Sequence, residues 1–321
     1  MIVTAAKGHL PCVALLAIAA SLSACAGSVP QDPPQTVRLL TWTRPGPFAR
    51  NLSEHLTATV PGVRVVPEPT PGSFFVVAAL QNGEAELGFS QADVVYMAYR
   101  QQIDPGGSPH KELRAIAVLW VNSIFTVVPR ESTVRSIGDL RGKRVGITLQ
   151  GSSGELLARL TLAAHGLTYA DLKPAFYPVD ELASRLTTGE IDAAMATGAV
   201  PTSSIAELSA AGHVRMVPVE DSVSKQMRVD YPFIKLMRIP PSDIPGRDSD
   251  YDTIGADGVL VCRKDLSESL VHALTKAFFA FIPQSLDDPL AAAINPERAA
   301  ATPIPLHPGA ARYYRERDLR R

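Results

Sequence analysis

Cysteine is scarce in this chain, neither sign of charge dominates, and its N-terminal apolar run is too short to cross a bilayer. Of three cysteines, Cys12 is expected to leave with a cleaved leader and Cys25 to be acylated, so Cys262 has no partner and a disulfide framework is not expected. Lys and Arg number 31 against 32 Asp and Glu, a formal net charge of −1. That balance lacks the basic face a nucleic-acid binder needs. The one concentration of arginine, Arg312, Arg315, Arg317, Arg320 and Arg321, is mixed with Glu316 and Asp318 and reads as a solvated helix end. The histidines (His9, His55, His110, His165, His213, His272 and His307) are scattered without metal-ligand spacing. No Gly-x-Ser-x-Gly elbow occurs, no Gly-rich turn carries the Lys-Ser/Thr pair of a P-loop, and Cys262 lies in an apolar strand where a thiolate is disfavoured. With no nucleophile, metal set or cofactor loop, the chain is expected to bind rather than to catalyse.

What is present begins at the N-terminus. Lys7 precedes the apolar run Leu10 to Ala20, far short of the ~20 residues of a spanning helix. Leu22-Ser23-Ala24-Cys25 then places a cysteine behind small residues. Residues 1–24 are therefore expected to be a lipoprotein signal peptide, with Cys25 acylated and held in the bilayer by roughly 0.8 kcal/mol per buried CH₂ of more than one chain. A plain secretory peptide with an incidental cysteine is the other reading, and the small residues before Cys25 favour the first. Both put the mature protein outside the cytoplasm, in the periplasm or its equivalent. Residues 25–36 are rich in turn formers and read as a flexible tether.

From Val37 onward, strand candidates alternate with helical patterns: Val37 to Trp42, a helix through Leu52 and Leu56, Val63 to Val66, then Phe74 to Leu80. Such alternation predicts an α/β fold with a mainly parallel sheet. One phrase occurs twice. Leu80-Gln81-Asn82-Gly83-Glu84-Ala85-Glu86-Leu87 is echoed by Leu186-Thr187-Thr188-Gly189-Glu190-Ile191-Asp192-Ala193, in each case a helix end, a left-handed glycine cap and a short buried strand. A recurring helix-to-strand turn explains this blandly; two lobes of related design explain it better. A size near 300 residues also favours two cores over one. Lobe I is expected over 37–125 plus 254–321 and lobe II over 126–253, with crossings near Asn122 to Val128 and Tyr251 to Val259 forming a hinge.

Ligands in open α/β sheets bind beyond the carboxyl ends of strands. Those ends carry Ser90-Gln91-Ala92-Asp93 in one lobe and Thr197-Gly198 in the other, and would line one groove. Gln150-Gly151-Ser152-Ser153-Gly154 is a strand-to-helix turn whose free N–H groups suit an anionic ligand group; ordinary N-capping by Ser152 or Ser153 is the alternative, and the two can coexist. Thr70-Pro71-Gly72-Ser73 offers a similar cradle in lobe I. Trp42-Thr43-Arg44-Pro45-Gly46-Pro47-Phe48 ends the first strand, where Arg44 could clamp a small organic acid. Asp93 and Asp192 read as caps and turn formers rather than a catalytic pair. The candidate ligand-binding set is Thr43, Arg44, Phe48, Thr70, Gly72, Ser73, Gln91, Tyr96, Ser152, Ser153, Gly154, Thr197 and Pro201; no metal and no cofactor are expected.

Taken in order, these phrases resemble the TAXI family, solute receptors of tripartite ATP-independent periplasmic (TRAP) transporters. The matching phrases include Thr70-Pro71-Gly72-Ser73, Gln91-Ala92-Asp93-Val94, Leu113-Arg114-Ala115-Ile116-Ala117, Ile137-Gly138-Asp139-Leu140-Arg141-Gly142-Lys143-Arg144-Val145, Gly151-Ser152-Ser153-Gly154, Gly189-Glu190-Ile191-Asp192-Ala193 and Leu306-His307-Pro308-Gly309. The resemblance implies a type II periplasmic-binding-protein fold: two α/β lobes joined by a hinge, with a ligand cleft between them. It implies a monomer that passes a small organic acid or amino acid to a TRAP-type membrane permease. The chain departs from the family pattern at Arg44-Pro45-Gly46-Pro47-Phe48, where a glycine-rich stretch with paired tyrosines is usual. Two prolines there remove N–H donors, so glutamate is not carried over as ligand. A sensory or scaffold lipoprotein of the same fold, reporting to a membrane kinase, is the alternative function.

Overall fold

The structure, a computed structural model, describes residues 1, 2, 4, 33–42, 46–100, 108–199 and 203–319. Most of the expected signal peptide, Cys25, most of the tether, Thr43, Arg44 and Pro201 lie outside the described residues.

In chain order the elements are β1 (Gln35–Thr41), α1 (Pro47–Thr59), β2 (Val63–Pro69), α2 (Ser73–Asn82), β3 (Leu87–Gln91), α3 (Ala92–Tyr99) and β4 (Leu113–Pro129). There follow β5 (Arg144–Thr148), α4 (Ser153–Ala164), β6 (Lys173–Tyr177), α5 (Leu182–Thr187), β7 (Ala193–Gly198), α6 (Ser203–Ala210), β8 (Val214–Val217), α7 (Asp221–Asp230) and β9 (Ile234–Ile239). The long β10 (Tyr251–Arg263), α8 (Glu268–Phe281), α9 (Pro289–Ala292) and α10 (Pro308–Asp318) complete the chain. β1 starts at Gln35, two residues before the expected start, because Gln35 and Thr36 pair with Val63 and Arg64 of β2.

Ten strands form one sheet in the order β2-β1-β3-β10-β4-β7-β5-β6, with β8 added on β4 and β9 on β10. Two lobes result. Lobe I is built on β1, β2 and β3, lobe II on β5 to β9, and β4 and β10 run antiparallel through both. The first part of β4 pairs with β10 and its second part with β7 and β8, while β10 pairs first with β9 and later with β3. Within each lobe the strands joined through helices pair in parallel, as crossover connections allow. The sheet is therefore mixed rather than mainly parallel: the strands that travel between lobes must return, and a returning strand beside its outgoing partner is antiparallel.

The internal echo is structural. Gly83 and Gly189 both adopt the left-handed conformation, at φ 79° and 71°. The acid of each phrase has the same task. Glu86 accepts the backbone N–H of Arg38 on β1 at 2.8 Å, and Asp192 accepts that of Arg144 on β5 at 2.8 Å; each carboxylate also pairs with the same residue's guanidinium. Both pairs span 48 positions. The two acids thus tie the first strand of their lobe to the start of the strand that follows the capped helix, and chance resemblance does not account for that.

α1, α8 and α10 cover the outer face of lobe I around Leu52, Leu56, Phe278 and Tyr314, all buried. A second apolar cluster, containing Val76, Leu80, Ile147, Leu157 and Val259, continues from lobe I into lobe II. Leu182, Ile191, Phe125 and Tyr251 anchor a third cluster in lobe II. Among the described residues no helix is long and apolar enough to cross a membrane.

Candidate binding cavity

A cavity of about 670 Å³ opens between the lobes at the carboxyl ends of β1, β3, β5 and β7. Its walls follow the internal repeat. Trp42 and Thr148, Gly72 and Pro178, Ser73 and Val179, and Gln91 and Thr197 all line it, and the members of each pair stand 106 positions apart. Trp120 and Asn122 come from the crossing strand β4, and Leu290 from α9. The same offset corrects one expectation. The loop matching Gln150 to Gly154 is 44–48, so Thr70 to Ser73 is not its counterpart; it matches 176–179, which lines the cavity through Pro178 and Val179.

Of the expected ligand-binding residues, Gly72, Ser73, Gln91, Ser152, Ser153, Gly154 and Thr197 lie on the cavity wall. Phe48, Thr70 and Tyr96 do not. Phe48 is buried among the rings of Phe89, Trp120 and Phe281, at 5.3 to 5.9 Å between centroids, so its apolar bulk was spent on the lobe I core. The Thr70 hydroxyl donates to the Thr41 carbonyl at 2.9 Å and closes the turn after β2. Tyr96 packs against Phe233 at 5.7 Å, away from the cavity.

The α4 N-terminus resolves the choice between capping and binding for its serines. Ser152 is the N-cap: its Oγ accepts from Glu155 N at 3.1 Å and donates to the Leu149 carbonyl at 2.6 Å. Ser153 Oγ instead reaches lobe I and donates to Asp93 Oδ2 at 2.6 Å. Neither hydroxyl proton is left for a ligand, and what α4 still offers is its first-turn backbone N–H groups. Asp93 also accepts from the Val94 N–H at 2.8 Å. It is wholly buried, and burial pushes its carboxyl up to about 6 despite hydrogen bonds from Ser153, Val94 and its own backbone N–H, which act downward. Asp192, by contrast, is held low by Arg144, with which it pairs.

Close backbone contacts complete the join. Phe74 N–H donates to the Gly151 carbonyl at 3.2 Å across the lobes. A Cβ on Gly72 would come within 2.8 Å of that same oxygen, and one on Gly154 within 2.4 Å of Thr148 Oγ1 and 2.8 Å of Thr197 Oγ1. Glycine at 72 lets the α2 and α4 entry loops approach each other, and glycine at 154 lets the first turn of α4 sit close against β5 and β7. On the hinge side, buried Asp257 holds Lys235 at 3.0 Å and Arg298 at 3.5 Å.

Sequence reasoning missed Trp120, Asn122, Thr148, Pro178, Val179, Asp180 and Leu290, which also line the cavity, and the inter-lobe role of Asp93. The echo held a signal for Thr148, Pro178 and Val179, since shifting Trp42, Gly72 and Ser73 by the repeat offset lands on them. Trp120, Asn122 and Leu290 carry no such signal. Among the described residues no group of three or more His, Cys, Asp or Glu is arranged to hold a metal ion.

A family model described as the NMT1-like family matches residues 47–317. Among solved structures, a protein from Bordetella bronchiseptica RB50 is similar with a TM-score of 0.53 and 18% identity over 81% of this chain and 76% of that one. A protein from Xanthomonas citri bound to ATP has a TM-score of 0.51 and 11% identity over 88% of this chain and 98% of that one. The alkanesulfonate-binding protein SsuA from Xanthomonas axonopodis pv. citri, bound to MOPS, gives 0.48 and 15% over 83% and 86%. For the first two, at these identities, the likeness is one of fold.

Proposed function

Because the chain belongs to the NMT1-like family, we propose that it is an extracytoplasmic solute-binding protein whose two lobes close on a small organic solute and present it to a membrane transporter. One observation carries the reading: a cavity of about 670 Å³, of small-molecule size, walled by equivalent positions of two related lobes. Closure around a guest shifts an equilibrium between lobe arrangements by the guest's differential affinity for them. A micromolar solute needs about −8 kcal/mol, within reach of a few hydrogen bonds and apolar burial in a closed cleft.

Lobe I is taken as 37–125 with 254–321 and lobe II as 126–253, with β4 and β10 as the hinge strands. The TAXI-like phrases support a TRAP-type permease as partner, and Leu22-Ser23-Ala24-Cys25 supports anchoring by an acylated Cys25. The expected anionic solute rests on the helix ends and on Arg44, outside the described residues; the described wall contributes Asp180 and no cation.

Thermal-shift screening of purified protein against organic acids, amino acids, amides and heterocycles tests the proposal. Stabilisation by one chemical class supports it; a broad panel without a single stabilising member overturns it.

A further inference from the structure

We infer that the protein carries a second binding site, on the hinge side of the sheet, for a small oxyanion of two or more negative charges, of which phosphate and sulfate are the simplest. It lies apart from the solute cavity and does not depend on what fills that cavity.

A pocket of about 310 Å³ opens there beside β9 and shares no lining residue with the solute cavity. β4 separates the two. Trp120 and Asn122 line the cavity while Val121, between them, lines the pocket, because successive side chains of a strand point to opposite faces. Asp257 stands directly opposite Val121 on β10, so its side chain emerges on the pocket's face of the sheet.

Three cations line this pocket, and among the described residues no acid does: Arg228 comes from α7, Lys235 from β9 and Arg298 from the segment ahead of α10. The charged ends of the last two are neighbours, since both meet the carboxylate of Asp257, Lys235 Nζ at 3.0 Å and Arg298 Nη2 at 3.5 Å. Both are also open to solvent. Their side chains are 34% and 51% exposed, whereas that of Asp257 is 6% exposed, and Arg228 is exposed as well. Asp257 thus holds two of the cations in place and offsets one positive charge, which leaves two in excess. Among the described residues no hydrogen bond engages the guanidinium of Arg228 or of Arg298, so their planar donor forks remain for an oxyanion, which they match in a two-pronged fashion. Cations brought to one pocket repel one another, and a doubly charged anion removes that cost. The volume is at the low end for ligand pockets and suits a compact ion rather than an extended solute. Arg228 and Lys235 belong to lobe II and Arg298 to the C-terminal segment, so an anion held by all three ties these parts together across the hinge strands.

Calorimetric titration of the purified protein with inorganic phosphate, against chloride at matched ionic strength, tests the site. Phosphate should bind with millimolar affinity or better, and Arg228→Gln and Arg298→Gln should each weaken it by about tenfold. Gln91→Leu, in the solute cavity, should leave phosphate binding unchanged. Arg228 pairs with no described acid, so Arg228→Gln keeps the test decisive should Arg298→Gln disturb Asp257. Failure of phosphate, sulfate and pyrophosphate all to bind overturns the inference, as does phosphate binding that Gln91→Leu weakens and Arg228→Gln does not. Sedimentation with phosphatidylglycerol vesicles in the absence of phosphate binding would assign the cations to a membrane surface and overturn it too. The solute-binding reading has its own screen and stands in each of these cases.

Discussion

Ser153 Oγ donates a 2.6 Å hydrogen bond to Asp93 Oδ2, joining the first turn of α4 in lobe II to the first turn of α3 in lobe I. Two positive helix ends converge on one wholly buried carboxylate that has no basic side chain among the described residues as partner. The α4 end, expected to face a guest's anion, thus also holds an internal carboxylate through Ser153.

Removing the donor should expose that arrangement. Ser153→Ala leaves Asp93 buried with only backbone N–H donors, its own and that of Val94, and should destabilise the protein by about 1–3 kcal/mol at pH 7. Thermal unfolding measures it; an unchanged melting temperature would mean that water replaces the serine without loss.

The same group sets a pH dependence. Burial raises the folded carboxyl from 3.8 to about 6, so the folded state binds the proton more tightly than the unfolded chain. Its contribution is most favourable below pH ~4, declines as pH rises to ~6, and is then constant, a change on the order of 3 kcal/mol. Asp93→Asn removes the titration and can still accept from Ser153. Melting temperatures across pH 4.5 to 7.5 should show the variant gaining on the parent as pH rises; parallel curves would remove Asp93 as the cause.

Gly72→Ala would drive a Cβ to 2.8 Å from the Gly151 oxygen and 3.0 Å from Ser152 Cα. Both are backbone atoms and cannot swing aside, so the entry loops of α2 and α4 must separate. A cost of about 1–3 kcal/mol is expected, as for overpacked cores, with a larger radius of gyration by X-ray scattering. Unchanged scattering and stability would show that the join yields easily.

The chain has two tryptophans, Trp42 and Trp120, and both border the cavity. Intrinsic fluorescence should therefore respond to any bound solute. Trp42→Phe and Trp120→Phe each keep one reporter, and the surviving signal locates the guest; a stabilising solute that leaves both signals unchanged lies elsewhere.

Cys262 is fully buried on β10, and burial pushes its thiol well above the usual range. It should resist alkylation in the folded protein and react only as fast as the sheet opens. Rapid modification of Cys262, located by peptide mapping, would contradict the packing of β10 between β3 and β4.

Much of this was legible in the residues because short-range chemistry dictates it. Gly83 and Gly189 announced two helix ends, and the alternation of apolar runs announced strands and helices. Phe48 and Tyr96 misled because an aromatic beside a groove and an aromatic in a core look alike until packing partners are known. The mixed sheet was hidden for a related reason: the direction of β4 and β10 relative to each other depends on contacts between residues more than a hundred positions apart. Asp93 could be read as a helix-start acid, yet its tie to Ser153 spans 60 positions and exists only once the lobes meet.

Ser123 on β4 and Gly255 on β10 stand directly opposite each other. The intervening stretch is thus a detour that departs and re-enters at a single doorstep, with a separation that a two-residue reverse turn commonly bridges. Deleting 124–254 and splicing in such a turn should yield a miniature retaining the outer core around Phe278 and Tyr314. It would also leave the flank once shared with the lost portion bare and sticky, so it should self-associate unless that flank is recoated with charge.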